Sequence, residues 1–392
     1  MAVYCWGFGK LGQLGNGQPG SSQAPLQMEL FKDGVDRLGT GDEADVFSPT
    51  AVDLGRDVKV EQISAGSWHC CAVSFMGRLY SWGYNSKHNV LGRACRQRFD
   101  PVPDRVPLPM SLKVHKVSCG HNFTLLLSTV GQLFSWGCGK HGVLGHGTEG
   151  CCPSPRFVAS MEGTFLCDVS AGHAHCAAVS ADGRLFTFGK GWDGALGFGA
   201  DLNNKTTPTQ VRFGEEETDL ILESFARASC SVGEHRGHTL ALTTTGHVLA
   251  WGSNHRGKLG VGDQVDRWRP AKIPRAFFKD LSVVEISAGG IHSAAITEDG
   301  SVWTWGCGKV KTVDLVTVPR LPISSSPPSF NLSTSGFSPL QHRTSSQQQL
   351  LQNYHCTKPR PVTLLNERLE AEGKRAKQVA CSHYHTVVVV TY

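Results

Sequence analysis

Short apolar runs recur along the whole chain, many alternating with polar residues and most bounded by glycine. A period of two with glycine punctuation predicts short β-strands joined by tight turns. The runs fall into two half-motifs. The first is V/I-S-A-G-x-x-H followed by apolar residues. It is found at 63–73 (ISAGSWHCCAV), 117–127, 169–179, 230–242, 286–296 and 379–389. The second is G-x-apolar-x-x-W-G, found at 77–83 (GRLYSWG), 131–137, 183–189, 246–252 and 300–306, with AVYCWG at 2–7 opening the chain. The aromatic anchors are Trp6, Trp82, Trp136, Phe188, Trp251 and Trp305. Most of them recur at intervals of about fifty to sixty residues, the period of a repeat architecture.

Each unit predicts an antiparallel sheet of four strands. One such sheet cannot bury both faces, and radial stacking of several sheets does so. The expected fold is therefore all-β, a β-propeller of six four-stranded blades. A seventh, degenerate unit hidden in an insert is the alternative, and six is favoured because neither long interval holds a further pair of half-motifs. The chain opens on a second half-motif and closes on a first one. Joined, the N- and C-terminal strands complete one blade and close the ring, which removes an exposed sheet edge. Residues 1–392 are thus expected to be a single domain with a loop insert at 18–38. A second insert at 310–356, rich in Ser, Pro and Gln, is expected to be disordered.

Composition changes this picture little. Glycine is abundant (45 of 392 residues), as many turns require. The net charge of +5 is spread along the chain and gives no direct nucleic-acid signal. Fourteen cysteines occur without a C-x-x-C pair, most of them inside apolar runs where a free thiol packs as a small hydrophobe. No apolar run reaches the length of a membrane span, and the N-terminus lacks the features of a signal peptide. A reduced, intracellular protein, cytoplasmic and/or nuclear, without membrane insertion and monomeric, is the expectation.

Several stretches imitate chemistry. His173, His175 and Cys176 look like metal ligands, but on a strand Cys176 points away from the other two. Cys151 and Cys152 are neighbours and cannot chelate together, so no metal site is expected. Gly189, Gly191 and Gly194 spell G-x-G-x-x-G, which needs a strand–loop–helix context that an all-β repeat lacks. Gly252, Gly257 and Lys258 approach a P-loop, but Leu259 stands where a hydroxyl must hold magnesium. His69, His175, His238, His292 and His385 share one slot of the repeat. A ring nitrogen there is expected to bond backbone carbonyls of the turn, a structural role. No nucleophile–base–acid arrangement emerges, and no cofactor is implied.

The repeated W-G-x-G-x-x-G-x-L-G-x-G with S-A-G-x-x-H resembles the regulator of chromosome condensation repeat family over nearly the whole chain. The resemblance implies a β-propeller that acts on protein partners. Its founding member exchanges the nucleotide of the small GTPase Ran, which needs no covalent chemistry. That member carries an acidic residue two before the turn histidine. Here the slot holds Ser67, His121, His173, Gly290 and His383, and Glu234 alone is acidic. The founding member's basic N-terminal tail is absent. The leading expectation is a protein-interaction module, scaffold or regulator. The alternative is a guanine nucleotide exchange factor for a small GTPase, with Glu234, His173, His121 and His383 on the exchange face. Ultraviolet sensing would need clustered tryptophans, of which only Trp68 and Trp192 lie near turns.

Overall fold

The computed structural model describes residues 2–7, 22–27, 54, 58–95, 98–212, 223–233, 236–307, 355–383 and 385–391. These residues contain six four-stranded antiparallel sheets. Numbered in chain order, β1 (Ala2–Gly7) and β2 (Ser22–Gln27) lie in sheet A. Sheet B holds β3 (Val60–Ala65), β4 (His69–Ser74), β5 (Leu79–Tyr84) and β6 (Phe99–Arg105). Sheet C holds β7 (Val114–Cys119), β8 (Phe123–Ser128), β9 (Leu133–Gly137) and β10 (Cys152–Phe157). Sheet D holds β11 (Leu166–Ala171), β12 (His175–Ser180), β13 (Leu185–Gly189) and β14 (Lys205–Gln210). Sheet E holds β15 (Phe225–Cys230), β16 (His238–Thr243), β17 (Val248–Gly252) and β18 (Arg267–Lys272). Sheet F holds β19 (Val283–Ala288), β20 (His292–Thr297), β21 (Val302–Cys307) and β22 (His355–Pro361). The last strands, β23 (Arg375–Cys381) and β24 (His385–Thr391), return to sheet A in the order β2-β1-β24-β23. There β1 pairs β24 from Ala2↔Val390 to Gly7↔His385, so the two ends of the chain share one sheet.

Ser22–Gln27, inside the segment 18–38, is the outer strand of sheet A; the rest of that segment lies outside the described residues. So does 310–354 of the second insert, while His355 begins β22. Among the described residues one α-helix interrupts the strands, α1 (Thr363–Ala371). Leu365 and Leu369, one turn apart on one face, pack it onto a core with Val302, Val379 and Val390. Asn366 ties it to β21, its Oδ1 accepting from the Val302 N–H at 2.9 Å and its Nδ2 donating to the Val302 carbonyl at 3.1 Å.

Consecutive sheets are joined by repeated contacts. Trp136, Trp251, Trp305 and Phe188 are wholly buried. Each of the three indoles donates to a carbonyl of the preceding sheet's Leu-Gly loop: Trp136 to Val90 at 2.8 Å, Trp251 to Ala195 at 2.8 Å, and Trp305 to Lys258 at 2.9 Å. The serine of each S-A-G or S-C-G turn, and Ser229 of S-C-S in sheet E, accepts a backbone N–H from the next sheet. The pairs are Ser64 with Cys119, Ser118 with Ala171, Ser170 with Cys230, Ser229 with Ala288, and Ser287 with Cys381, all at 2.8–3.0 Å. At sheet A the serine slot holds Ala380, which has no hydroxyl to offer. The apolar slot beside the serine follows suit. Ile63 of sheet B is 60% exposed, whereas Val117 in the same slot of sheet C is 1% exposed and Val169 of sheet D is fully buried.

Candidate interaction face

The S-A-G-x-x-H turns bring successive first strands into backbone contact, and glycine is needed for this. A Cβ on Gly66 would lie 2.3 Å from the Gly120 carbonyl oxygen, and one on Gly172 would lie 2.6 Å from that of Ser231. The residues after the glycine then converge between sheets. His121 of sheet C bonds Ser67 of sheet B through Nδ1 at 2.9 Å. Its ring lies 4.1 Å from that of His173 on sheet D. Trp68 stands 6.2 Å from His121 and 6.1 Å from Tyr84, and remains 54% exposed. His383 packs against Gly233 and Gly290 of sheets E and F. The structure therefore unites His121 and His173 with Trp68, and places His383 with the glycines of two other turns. Glu234 lies outside the described residues.

The slot histidines make a different contact from the one expected. They reach across to a hydroxyl of the next sheet rather than to carbonyls of their own turn. His69 Nε2 meets Thr124 Oγ1 at 2.7 Å, and His175 meets Thr239 at 2.9 Å. His238 meets Ser293 and His292 meets Thr386, both at 2.9 Å. The side chains of Trp6 and His385 lie outside the described residues. Burial pulls His175 down to about 4 from its ordinary 6.5, and His238 well below that ordinary value.

The imitation motifs separate. His175 turns to Thr239, His173 to His121, and the Cys176 thiol donates to the Val143 carbonyl at 3.4 Å. The loop of Gly189, Gly191 and Gly194 runs from strand β13 to strand β14. Lys258 is buried with its ammonium on the Arg236 carbonyl, and burial lowers it to about 8.

A second line of residues was missed in the sequence. In each first strand a register shift precedes Gln62, Lys116, Asp168, Arg227, Glu285 or Gln378. A bulge re-aims the side chain that follows it. Four of these alternate in sign and pair between sheets: Lys116 with Asp168 at 2.5 Å, and Arg227 with Glu285 at 2.7 Å. The other Asp168 oxygen accepts the Ala228 N–H at 2.9 Å. The signal was available in the residue before the apolar member of each V/I-S-A-G run.

A family model described as Regulator of chromosome condensation (RCC1) repeat matches the chain at residues 2–37, 35–73, 76–127, 130–179, 182–242 and 245–296. The chain belongs to this family of β-propellers. It is 31% identical over 335 residues to the Ultraviolet-B receptor UVR8 of Arabidopsis thaliana, covering 78% of this chain and 73% of that protein. It is also 31% identical to the E3 ubiquitin-protein ligase HERC2 of Mus musculus, over 73% of this chain but 6% of that protein. Among solved structures, human WBSCR16 superimposes with a TM-score of 0.76 at 21% identity, covering 100% of this chain and 98% of that one. Prp20p of Saccharomyces cerevisiae, described with its binding to Gsp1p and histones, gives 0.71 at 18% identity, covering 99% and 90%. Among the described residues no helix is long and apolar enough to cross a membrane.

Proposed function

We propose that this RCC1-repeat chain is a protein-interaction module that engages a partner through the turn face of Trp68, His121, His173 and His383. The observation that carries this reading is Trp68: a large aromatic left half in solvent beside the close, tilted imidazoles of His121 and His173 and beside Tyr84. Aromatic anchors of this kind dominate protein–protein binding energy. The five successive joints from sheet B to sheet A each carry the serine hydrogen bond, which supports a ring of six blades with the chain termini sharing sheet A. Such a ring is a rigid platform for the face.

The test compares partners captured from cell extract by the wild-type chain, by the double variant Trp68→Ala/His121→Ala, and by Met110→Ala, an exposed apolar residue away from these turns. The proposal expects the face variant to lose its specific partners by more than about tenfold and Met110→Ala to keep them. Equal capture by all three overturns it. Release of a labelled GDP analogue from small GTPases, Ran included, probes the exchange reading with Glu234→Ala alongside. Acceleration that Glu234→Ala abolishes would establish exchange activity.

A further inference from the structure

Three side chains come together on the surface at the joint of sheets B and C. His88 lies in the loop between β5 and β6, and Cys138 and Cys151 stand at the two ends of the loop between β9 and β10. A ring nitrogen of His88 and both sulfurs lie within 4.8 Å of one another. Cys151 is exposed, and Cys138 is half-buried with its thiol pushed up by burial.

The same loop in other sheets shows what is unusual here. In sheet E the residue before the fourth strand, Asp266, clamps the loop by accepting the Asn254 N–H at 2.6 Å. In sheet D Asn204 accepts the Gly191 N–H at 3.2 Å. Cys151 takes that position in sheet C and offers no oxygen, and a second thiol, Cys138, replaces Ser253 and Lys190 beside it. The two ends remain in contact: a Cβ on Gly139 would lie 1.8 Å from the Gly150 oxygen. The neighbouring sheet is strapped on by Asn89, whose Nδ2 donates to the Pro153 carbonyl at 2.6 Å and whose Oδ1 accepts from Asn85 at 2.7 Å. His88 is thereby held over the thiol pair.

We propose that His88, Cys138 and Cys151 bind a zinc-class divalent cation. One imidazole and two thiolates suit such an ion, and three protein ligands leave a fourth position for water or an exogenous ligand. On loading, the two thiols release two protons to solvent and the neutral imidazole donates its lone pair, so the loaded site is uncharged. The ion replaces the missing side-chain clamp and bridges two sheets. A second group, His69, Cys71 and Cys119, is also close but wholly buried. Its histidine already holds Thr124, and Cys119 shares its slot with Cys230 and Cys381, so the repeat accounts for it.

The experiment titrates the reduced full-length chain with Zn²⁺ by calorimetry without oxygen, and with Co²⁺ for the charge-transfer band of a cobalt–thiolate bond. One equivalent should bind with release of two protons. Cys138→Ser, Cys151→Ser and His88→Asn should each weaken binding by more than about tenfold, while Cys71→Ala leaves it unchanged. Unaltered binding in Cys138→Ser/Cys151→Ser, or loss of binding in Cys71→Ala, overturns the proposal. So does a fully reduced chain, with Cys138 and Cys151 both reacting as free thiols, that takes up no metal. Melting curves of each variant separate loss of the site from loss of the fold.

Discussion

The buried slot histidines couple the fold to pH. His175 is held neutral by burial, at about 4 against 6.5 in the unfolded chain, and His238 shifts the same way. The unfolded state therefore binds more protons between these values. Stability is whole above pH 6.5 and is lost as pH falls toward 4. His175 alone contributes about 3 kcal/mol of this loss. Denaturant midpoints measured from neutral pH down to 4 should show the decline, and His175→Gln should make it shallower. The tryptophan slot makes a second prediction. Trp251→Phe removes one buried hydrogen bond and should cost about 1–2 kcal/mol in chemical denaturation without changing the fold, because Phe188 fills the same slot. Both slots were legible in the sequence from recurrence alone. The partner of the histidine was not, since it sits one repeat away. Yet Thr124, Thr239, Ser293 and Thr386 each follow the slot by one residue, and that hydroxyl was the readable sign.

At the scale of the element, the first strand of each unit does most of the joining. Its bulge turns Lys116, Asp168, Arg227 and Glu285 toward their neighbours, while its serine and glycine meet the next backbone. Asp168 is the most heavily used of these groups. Asp168→Ala leaves both the Lys116 ammonium and the Ala228 N–H without their acceptor, and should cost about 2–3 kcal/mol in the same assay. Asp168→Asn should cost less. Alternation and glycine punctuation made the strands legible. The bulges were not, because one extra residue leaves the apolar pattern readable on either side of it. The helix α1 went unseen because a single pair, Leu365 and Leu369, carries its buried face.

For the molecule as a whole, recurrence of two half-motifs was enough to foresee stacked four-stranded sheets and the shared sheet of the two chain ends. It could not foresee that the joints are unequal. In the proposed ring the joint from sheet A to sheet B would have Ala380 where the others have serine. It would also have Cys70 where Thr124, Thr239, Ser293 and Thr386 supply a hydroxyl to a histidine; Cys176 fills that slot in sheet D, so the serine bond is what would set the A–B joint apart. A stack of repeats behaves as a row of coupled units whose stability is the sum of units and interfaces. In a uniform circle no position is the first to open. In the proposed ring the interface between sheets A and B would be the weaker one, and opening would have a preferred origin and direction. Hydrogen exchange at β3 should run faster than at β11, and protection should rise from sheet B toward sheet D. Equal protection in the two strands would show that the joint is as strong as the rest. If the gradient is found, the proposed ring is mechanically a row with two ends, bent round until they meet.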